Sequence, residues 1–361
     1  MRIFQMLSTI AYGDAVSNDA IALEKLIKEM GYKSRIYAES IVPPLDKKTV
    51  LNVKELPELN EDDIVIYHYS SGSELNYRFG NFKCRKVLVY HNVTPPKFFE
   101  RYDERFAGVC SFGLEGIKYL ADKVDYALAV SEFNRQDLIS YGFKCKIDIL
   151  PIIIPMEDYN KKPDKYRMKE WGDGKTNILF TGRVAPNKCH EDLIKSFYYY
   201  SRLYNHNSRL ILAGSFRADD PYYISLDRYT RKLGLDRESE IIYTGHVQFN
   251  EIIAAYRCAD VYLCLSEHEG FCVPLVESMI YNVPVIAYAS TAIPDTLSSK
   301  GFLIDDKDPV FVAGCIDRVV RDGKLREQLL SAQNERLKDF AYEKIAAQFK
   351  EYMNSFIQGK G

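Results

Sequence analysis

The chain has 361 residues, which at roughly 150 residues per domain predicts two domains, and its 47% hydrophobic content excludes a disordered or fibrous protein. The formal net charge of −2 excludes a nucleic-acid partner held by bulk electrostatics, so any anionic ligand needs a local site. The eight cysteines are scattered and no two are spaced as C-x-x-C, which favours reduced thiols and a cytoplasmic location over a zinc site.

The first half of the chain alternates short strands with helices. It opens with "RIFQML", which we interpret as a strand and not as a signal peptide, because no long apolar region or cleavage site follows. Apolar residues at helical spacing then predict a helix that ends near Gly31. The runs "DIVIYHYS", "KVLVYHNV" and "YALAVS" are continuously apolar, which suits a parallel sheet covered on both faces. The alternation predicts a doubly wound α/β domain.

A proline-containing, charge-rich segment without a sustained period divides the chain near its middle. The α/β pattern then restarts and ends in long helices. We therefore predict a Rossmann-like domain over 1–153, a linker over 154–174, a second Rossmann-like domain over 175–338, and a helix within 339–361 that crosses back to the first domain. Ligands of such folds bind beyond the carboxyl ends of the strands, so a cleft between two facing domains is the expected site.

The strongest motif is "SEHEGFCVPLVES", which places Glu269 and Glu277 on either side of a predicted strand-turn-helix junction. Gly270 permits a tight turn, and Pro274 suits the first turn of a helix. The start of that helix offers free N–H groups and a positive dipole end, which suit a diphosphate. Two surface glutamates around an ordinary helix start would show the same bare spacing. The glycine, the proline and the context favour the functional interpretation.

The second motif is "LFTGRVAPNK", in which a strand ends at Gly182 and Arg183 and Lys188 follow in the loop. Arginine brings a rigid fork of donors and lysine a mobile point charge, and both suit a pyrophosphate. Taken alone, either side chain would be read as merely solvated. Together their charges would be able to neutralise a leaving diphosphate without a metal ion.

The combination of "GRVAPNK" with "EGFCVPLVES" resembles the retaining GT-B glycosyltransferases of family 4, and the similarity extends to "LILAGS", "YTGHV" and "AAYRCADVYLCLSE". The resemblance implies a GT-B fold and metal-independent transfer from a nucleotide-sugar. Arg183 and Lys188 would hold the diphosphate and Glu277 the ribose. Glu269 would contact the transferred sugar, and we predict it as a catalytic residue. The full set of donor-binding residues that it implies is Gly13, Arg183, Lys188, Val247, Glu269, Gly270, Phe271, Cys272, Val273 and Glu277.

The first half matches this family less closely. "YGDAVSNDA" stands where the family has a glycine-rich loop, and of that loop only Gly13 remains. His68 and His91 end two successive predicted strands and are expected to face the cleft. A histidine at a strand end is more often structural, but by the resemblance we predict His68 as a catalytic group near the reacting sugar and His91 as an acceptor or sugar contact.

Three other patterns are set aside. "GDGKT" lacks the earlier glycine of a phosphate loop and precedes a strand, and no G-x-G-x-x-G supports a nicotinamide enzyme. Asp306-Lys307-Asp308 matches a D-x-D metal signature but lies in a polar turn. "PPKFFERYDERF" mixes basic and aromatic residues and is read either as a membrane contact or, preferably, as a partly buried loop and helix.

These observations predict a cytoplasmic hexosyltransferase without a cofactor or metal, with peripheral contact at the inner membrane face left open. By resemblance to bacterial polysaccharide mannosyltransferases, the first donor is GDP-mannose and the acceptor is a saccharide or lipid-linked oligosaccharide. The alternatives are a UDP-hexose donor, a sugar-nucleotide epimerase of related fold, and a non-catalytic partner in a glycan-assembly complex.

Overall fold

The computed structural model describes residues 1–359 and divides into two compact units. The first unit contains residues 1–156 and the chain from 340 onward, and the second contains 157–339. Each unit is built around one parallel sheet. The predicted α/β class with two Rossmann-like sheets is confirmed.

The first unit has a seven-stranded sheet in the order β3-β2-β1-β4-β5-β6-β7. The strands are β1 Arg2–Ile10, β2 Lys33–Ile41, β3 Val50–Asn52, β4 Ile64–Tyr69, β5 Arg85–Tyr90, β6 Tyr126–Ala129 and β7 Lys146–Ile149. The helices are α1 Ala15–Glu29, α2 Leu75–Gly80, α3 Glu104–Leu120 and α4 Glu132–Ser140. Every residue of β4 is buried, as its continuous apolar run predicts for a central strand covered on both faces.

The second unit has a six-stranded sheet in the order β10-β9-β8-β11-β12-β13. The strands are β8 Thr176–Thr181, β9 Ser208–Ala213, β10 Ile241–Gly245, β11 Val261–Cys264, β12 Val285–Tyr288 and β13 Phe302–Ile304. The helices are α5 Lys165–Trp171, α6 His190–Leu203, α7 Pro221–Lys232, α8 Phe249–Cys258, α9 Val273–Ile280, α10 Ile293–Leu297, α11 Pro309–Arg321 and α12 Gly323–Leu337.

Both strand orders reverse direction next to the first strand of the unit. In the first unit the chain proceeds outward from β1 to β3 and then resumes on the other side at β4, and in the second unit β8 and β11 have the same relation. The loops that leave such a pair of neighbouring strands diverge and open a crevice at the carboxyl edge of the sheet, which is where α/β folds bind ligands. Topology alone therefore selects the β1/β4 and β8/β11 strand ends as candidate sites.

The segment that we predicted as a linker contributes to the second unit instead. It contains α5, and the side chain of Trp171 at the end of this helix is only 1% exposed. The Trp171 carbonyl accepts hydrogen bonds from Asn177 at 2.8 Å and from Arg209 at 3.2 Å. The proline and charge content hid this helix, because its attachment depends on distant residues.

The remaining motifs find ordinary structural roles. Asp308, the second aspartate of the D-x-D match, caps α11 by accepting hydrogen bonds from the amides of Val310 and Phe311. In "PPKFFERYDERF", Phe99 is buried and the other aromatic side chains are half-buried, as a loop and helix packed on the protein require. Across residues 1–359, no helix is both long enough and apolar enough to span a bilayer.

The last helix, α13 Tyr342–Ile357, belongs to the first unit. The ring of Phe356 stacks on Tyr126 with centroids 5.3 Å apart, and the Arg85 guanidinium lies 4.1 Å above its centroid. Lys350 pairs with Glu29 at 2.8 Å. The buried apolar face of the helix, which includes Ile345, Phe349, Met353 and Phe356, is the main attachment, since an exposed ion pair contributes little.

We expect Phe356→Ala to lower the free energy of unfolding by about 3 kcal/mol, because it removes a buried aromatic ring and leaves a cavity. The measurement is urea unfolding followed by circular dichroism. Phe311→Ala is the control, because Phe311 is 46% exposed and should change stability by less than about 0.5 kcal/mol. Equal effects of the two substitutions would contradict this account of α13.

Candidate active site

The centre of the candidate site in the second unit is an ion pair between Lys188 and Glu269. The Lys188 Nζ atom lies 2.6 Å from both carboxylate oxygens of Glu269. Lys188 follows β8 and Glu269 follows β11, so the pair spans the β8/β11 crevice. The Glu269 side chain is 8% exposed and that of Lys188 is 23% exposed. The sequence predicted both residues as site residues, and the structure brings them together.

The surroundings of Lys188 favour its charged form. Burial by itself would lower the pKa of Lys188, but the adjacent Glu269 carboxylate more than offsets this effect and the pKa is raised. Lys188 is therefore an ammonium group at neutral pH. A cation and an anion held ready at one strand end can bind a phosphate and a sugar hydroxyl, respectively.

Backbone and amide hydrogen bonds hold the two loops against each other. The Asn187 side-chain amide donates to the His268 carbonyl at 3.0 Å, and the Glu267 amide donates to the Asn187 carbonyl at 2.9 Å. The Glu269 amide donates to the Thr291 hydroxyl at 2.9 Å. Three hydrogen bonds thus position Lys188 and Glu269 without involving the side chains of these two residues.

The helices that follow both loops begin in the same way. Cys189 precedes α6 with φ 51°, and Cys272 precedes α9 with φ 68°, so each helix is entered through a left-handed residue. Neither cysteine caps its helix through its side chain. Val273 is the first residue of α9 and Pro274 follows it, which leaves the positive end of the helix dipole at the crevice.

The other predicted residues of this unit lie around the pair. Gly270 and Phe271 form the turn between Glu269 and α9, and the Phe271 carbonyl accepts a short hydrogen bond from Thr296. Arg183 is exposed in the loop after β8. Val247 follows β10 and is separated from β8 by β9, at the same edge of the sheet. These placements suit an extended ligand with its charged centre at Lys188.

Gly214 allows β9 to end next to this loop. A Cβ atom at Gly214 would lie 1.9 Å from the Gly182 carbonyl oxygen, so any side chain would force the two segments apart. The Gly182 amide donates to the Ala213 carbonyl, and the Val184 amide to the Ser215 carbonyl, both at 3.0 Å. Residue 214 was not a predicted site residue, although it lies in the quoted motif "LILAGS".

Glu277 is held by two tyrosines that the sequence analysis did not single out. Tyr159 donates to one carboxylate oxygen and Tyr256 to the other, each at 2.7 Å. The Tyr256 oxygen also lies 2.7 Å from the Thr181 hydroxyl at the end of β8. Burial raises the pKa of Glu277, and the two phenol donors counteract part of this shift. Each oxygen retains lone-pair capacity, so the carboxylate can accept two further hydroxyl groups.

The first unit contains a buried polar cluster at its own crevice. The His68 Nε2 atom lies 2.8 Å from the Gln5 amide oxygen, and its Nδ1 atom lies 3.0 Å from His91 Nε2. His91 Nε2 is also 3.9 Å from Asp19, whose carboxylate accepts the Ile153 amide at 2.9 Å. The cluster therefore joins β1, α1, β4 and β5 at the carboxyl edge of the sheet.

This geometry differs from the expectation for His68. The residue is 1% exposed and both ring nitrogens have partners, so neither nitrogen is open to a substrate. Burial and the neighbouring His91 lower the pKa of His68 well below its usual value. Gln5 fills the place beside the ring, and a catalytic role of His68 stays a prediction. This partner could not be inferred from a strand-end histidine alone.

His91 is buried as well. Its side chain is 2% exposed, and among residues 1–359 its buried Nδ1 atom has no hydrogen-bond partner. Burial lowers the pKa of His91 to about 3, so it is neutral at physiological pH. Gly13 lies in the exposed turn before α1 with φ 78°, and Asp14 caps that helix by accepting the Ser17 amide. Contact of Gly13 or His91 with a ligand stays a prediction.

Comparison with known proteins agrees with this reading of the second unit. Residues 162–336 match the family model described as "Glycosyl transferases group 1". The chain is 24% identical over 278 residues to an O-antigen chain mannosyltransferase B of Escherichia coli, which covers 73% of this chain and 68% of the relative.

Two solved structures show the same fold. WaaG, a glycosyltransferase involved in lipopolysaccharide biosynthesis, superposes with a TM-score of 0.72 at 14% identity, covering 99% of this chain and 100% of its own. Anabaena HepE in complex with UDP-glucose superposes with a TM-score of 0.74 at 14% identity, covering 98% of this chain and 100% of its own. The predicted GT-B fold is confirmed.

We expect Tyr159→Phe to weaken binding of a ribonucleoside diphosphate by about 2- to 10-fold, which corresponds to one hydrogen bond. If Glu277 binds the ribose, as the resemblance implies, the loss should be smaller for the 2′-deoxy nucleotide. Titration calorimetry measures both constants. Tyr166→Phe is the matched control because Tyr166 is 71% exposed. An equal loss of affinity for both nucleotides would show that Tyr159 does not contribute to ribose recognition.

Asp19 predicts a specific pH dependence of stability. Burial raises the pKa of Asp19 from 3.8 to about 7, although the Ile153 amide counteracts part of the shift. A folded-state pKa above the unfolded value gives a stabilising contribution that is present below about pH 4 and is lost as the pH rises through 7. An asparagine side chain cannot titrate, so the stability of Asp19→Asn relative to wild type should increase from pH 4 to 7. Urea unfolding across this range is the measurement, and a constant difference would contradict it.

Proposed function

We propose that this chain, which carries a glycosyl transferases group 1 domain and is a glycosyltransferase, moves a hexose from a nucleotide-sugar to a saccharide or lipid-linked acceptor with retention of configuration. The observation that carries the proposal is the Lys188–Glu269 pair beside the uncapped start of α9. A nucleotide-sugar presents a diphosphate next to a ring of hydroxyls, and this pair offers one group for each.

The proposed mechanism depends on the charge that develops as the donor breaks. The leaving diphosphate gains negative charge, and Lys188, Arg183 and the start of α9 stabilise it in the transition state. Glu269 then accepts hydroxyl groups of the transferred sugar, and Glu277 accepts those of the ribose. Preorganised positive groups can supply this stabilisation without a metal ion, so we propose that transfer requires neither a metal nor a cofactor. The acceptor binds to the first domain.

We propose mannose from GDP-mannose as the first donor. The support is the similarity to the O-antigen chain mannosyltransferase B, which agrees with the resemblance of the "HNVTPP" segment. A UDP-hexose is the alternative, favoured by the fold shared with HepE in its UDP-glucose complex. An epimerase receives no support from the comparisons, and its products without acceptor would reveal it. The location that we propose is the cytoplasm, at the inner face of the membrane where the acceptor is lipid-linked.

The donor is identified by thermal unfolding with GDP, UDP and ADP and the matching sugar donors, all in excess chelator. A ligand at ~100 times its dissociation constant should stabilise the protein by about 2.7 kcal/mol. We expect GDP and GDP-mannose to raise the unfolding midpoint. A shift with UDP compounds alone would replace the donor with a UDP-hexose, and no shift with any nucleotide would contradict the proposed donor site.

The site assignment is tested by Glu269→Gln, which should lower kcat by about 100-fold or more while the fold is preserved, because the carboxylate contacts the transferred sugar. Arg183→Ala should in addition weaken nucleotide binding by about 10-fold or more through loss of a charge-assisted hydrogen bond. The matched control is Glu267→Gln, the same substitution in the same loop at an exposed residue. Near-normal turnover of Glu269→Gln, or equal losses in the control, would reject the assignment.

A further inference from the structure

Two cysteine side chains lie next to the Lys188–Glu269 pair. Cys264 is the last residue of β11 and Cys272 immediately precedes α9, and both are buried. Their Sγ atoms and a carboxylate oxygen of Glu269 all lie within 4.8 Å of one another. The left-handed turn at Cys272 returns the chain to the end of β11, which is how two thiols eight positions apart meet.

Two thiolates and one carboxylate are a suitable ligand set for a thiophilic divalent cation. Tetrahedral zinc has Zn–S distances of about 2.3 Å and Zn–O distances of about 2.0–2.2 Å, which place its ligand atoms roughly 3.5–3.8 Å apart. The three atoms, which lie at most 4.8 Å apart, therefore need to approach by roughly 1.0–1.3 Å at most. Three protein ligands leave the fourth coordination position open to water.

The charges of the site also permit a cation despite the neighbouring lysine. Without metal, Lys188 balances the charge of Glu269. A dication that displaces the two thiol protons forms a set of two thiolates, one carboxylate, one dication and one ammonium, whose charges sum to zero. Binding thus leaves no net buried charge and releases two protons to solvent.

We propose that Cys264, Cys272 and Glu269 form a binding site for a thiophilic divalent cation such as Zn²⁺, and that the bound cation inhibits transfer. The inhibition rests on the proposed function, since the cation occupies the carboxylate that contacts the transferred sugar and separates it from Lys188. The binding itself does not depend on that function.

The two other groupings of suitable side chains within residues 1–359 are weaker candidates. In the group of Asp19, His68 and His91, the nitrogens of His68 and the Nε2 atom of His91 are already hydrogen-bonded. In the group of Cys189, Asp192 and Glu267, the Lys307 ammonium bridges the two carboxylates, as Lys188 holds Glu269 in the proposed site, so only the number of thiols distinguishes the two groups. Neither contains a second thiol, which is the ligand that distinguishes a thiophilic site.

The binding test is a Cd²⁺ titration of the reduced, metal-stripped full chain, followed by the ultraviolet charge-transfer absorption of thiolate–cadmium bonds and by equilibrium dialysis. We expect one tight site per chain. Cys264→Ala should weaken it by at least about 10-fold, the loss that even outer-shell partners of metal ligands produce. The matched control Cys189→Ala should bind as wild type does. Equal affinity of Cys264→Ala and wild type, or loss of the site in Cys189→Ala, would overturn the proposal.

The inhibition test measures transfer at fixed donor while Zn²⁺ is increased and then removed with chelator. We expect reversible inhibition that requires about 10-fold more Zn²⁺ in Cys264→Ala. Circular dichroism verifies the fold, and Cys264→Ser replaces the alanine variant if that variant unfolds. Cadmium bound at the thiols without inhibition by Zn²⁺ would overturn the regulatory half. Failure of every nucleotide to stabilise the metal-free chain would instead count against the proposed function.

Discussion

The pairing of Lys188 with Glu269 across the ends of β8 and β11 is the interaction on which the candidate site depends. A buried ion pair is weak evidence of stability, because desolvation of two charges offsets most of their attraction. It is better understood as a way of holding both groups within the crevice while no ligand is bound. When a donor binds, its diphosphate can pair with Lys188 and a sugar hydroxyl can donate to Glu269, and these two contacts replace the ion pair.

The sheet order explains why the pair forms at this place. The chain leaves β8 toward β9 and β10 and returns to the other side of β8 at β11, so the two loops diverge above adjacent strands. Residues far apart in sequence meet there without any local signal. The same reversal beside β1 and β4 gathers Gln5, His68, His91 and Asp19 in the first unit. One topological rule thus locates both polar centres of the chain.

The parts of the structure that were predicted correctly are those encoded locally. Continuous apolar runs identified the strands, and a glycine and a proline around Glu269 identified the turn and the start of α9. The contacts that the sequence did not indicate are those whose partners only the fold supplies. Gln5 buries His68, Trp171 attaches the expected linker, and Tyr159 holds Glu277. None of these pairings leaves a periodic or short-range pattern in the sequence.

The cysteines show the same limit of sequence patterns, since here a pattern argued against a site that the fold brings together. A spacing rule for zinc ligands disfavoured a metal site, since it counts neighbours in sequence and Cys264 and Cys272 are brought together by the strand-turn-helix junction. A left-handed conformation costs a residue with a side chain roughly 1–2 kcal/mol, which glycine would avoid. Cys272 adopts it at the entrance to α9, and such strain persists only where the surrounding structure enforces it. The left-handed turn thus holds a thiol beside Glu269, one of the groups that we assign to the donor site.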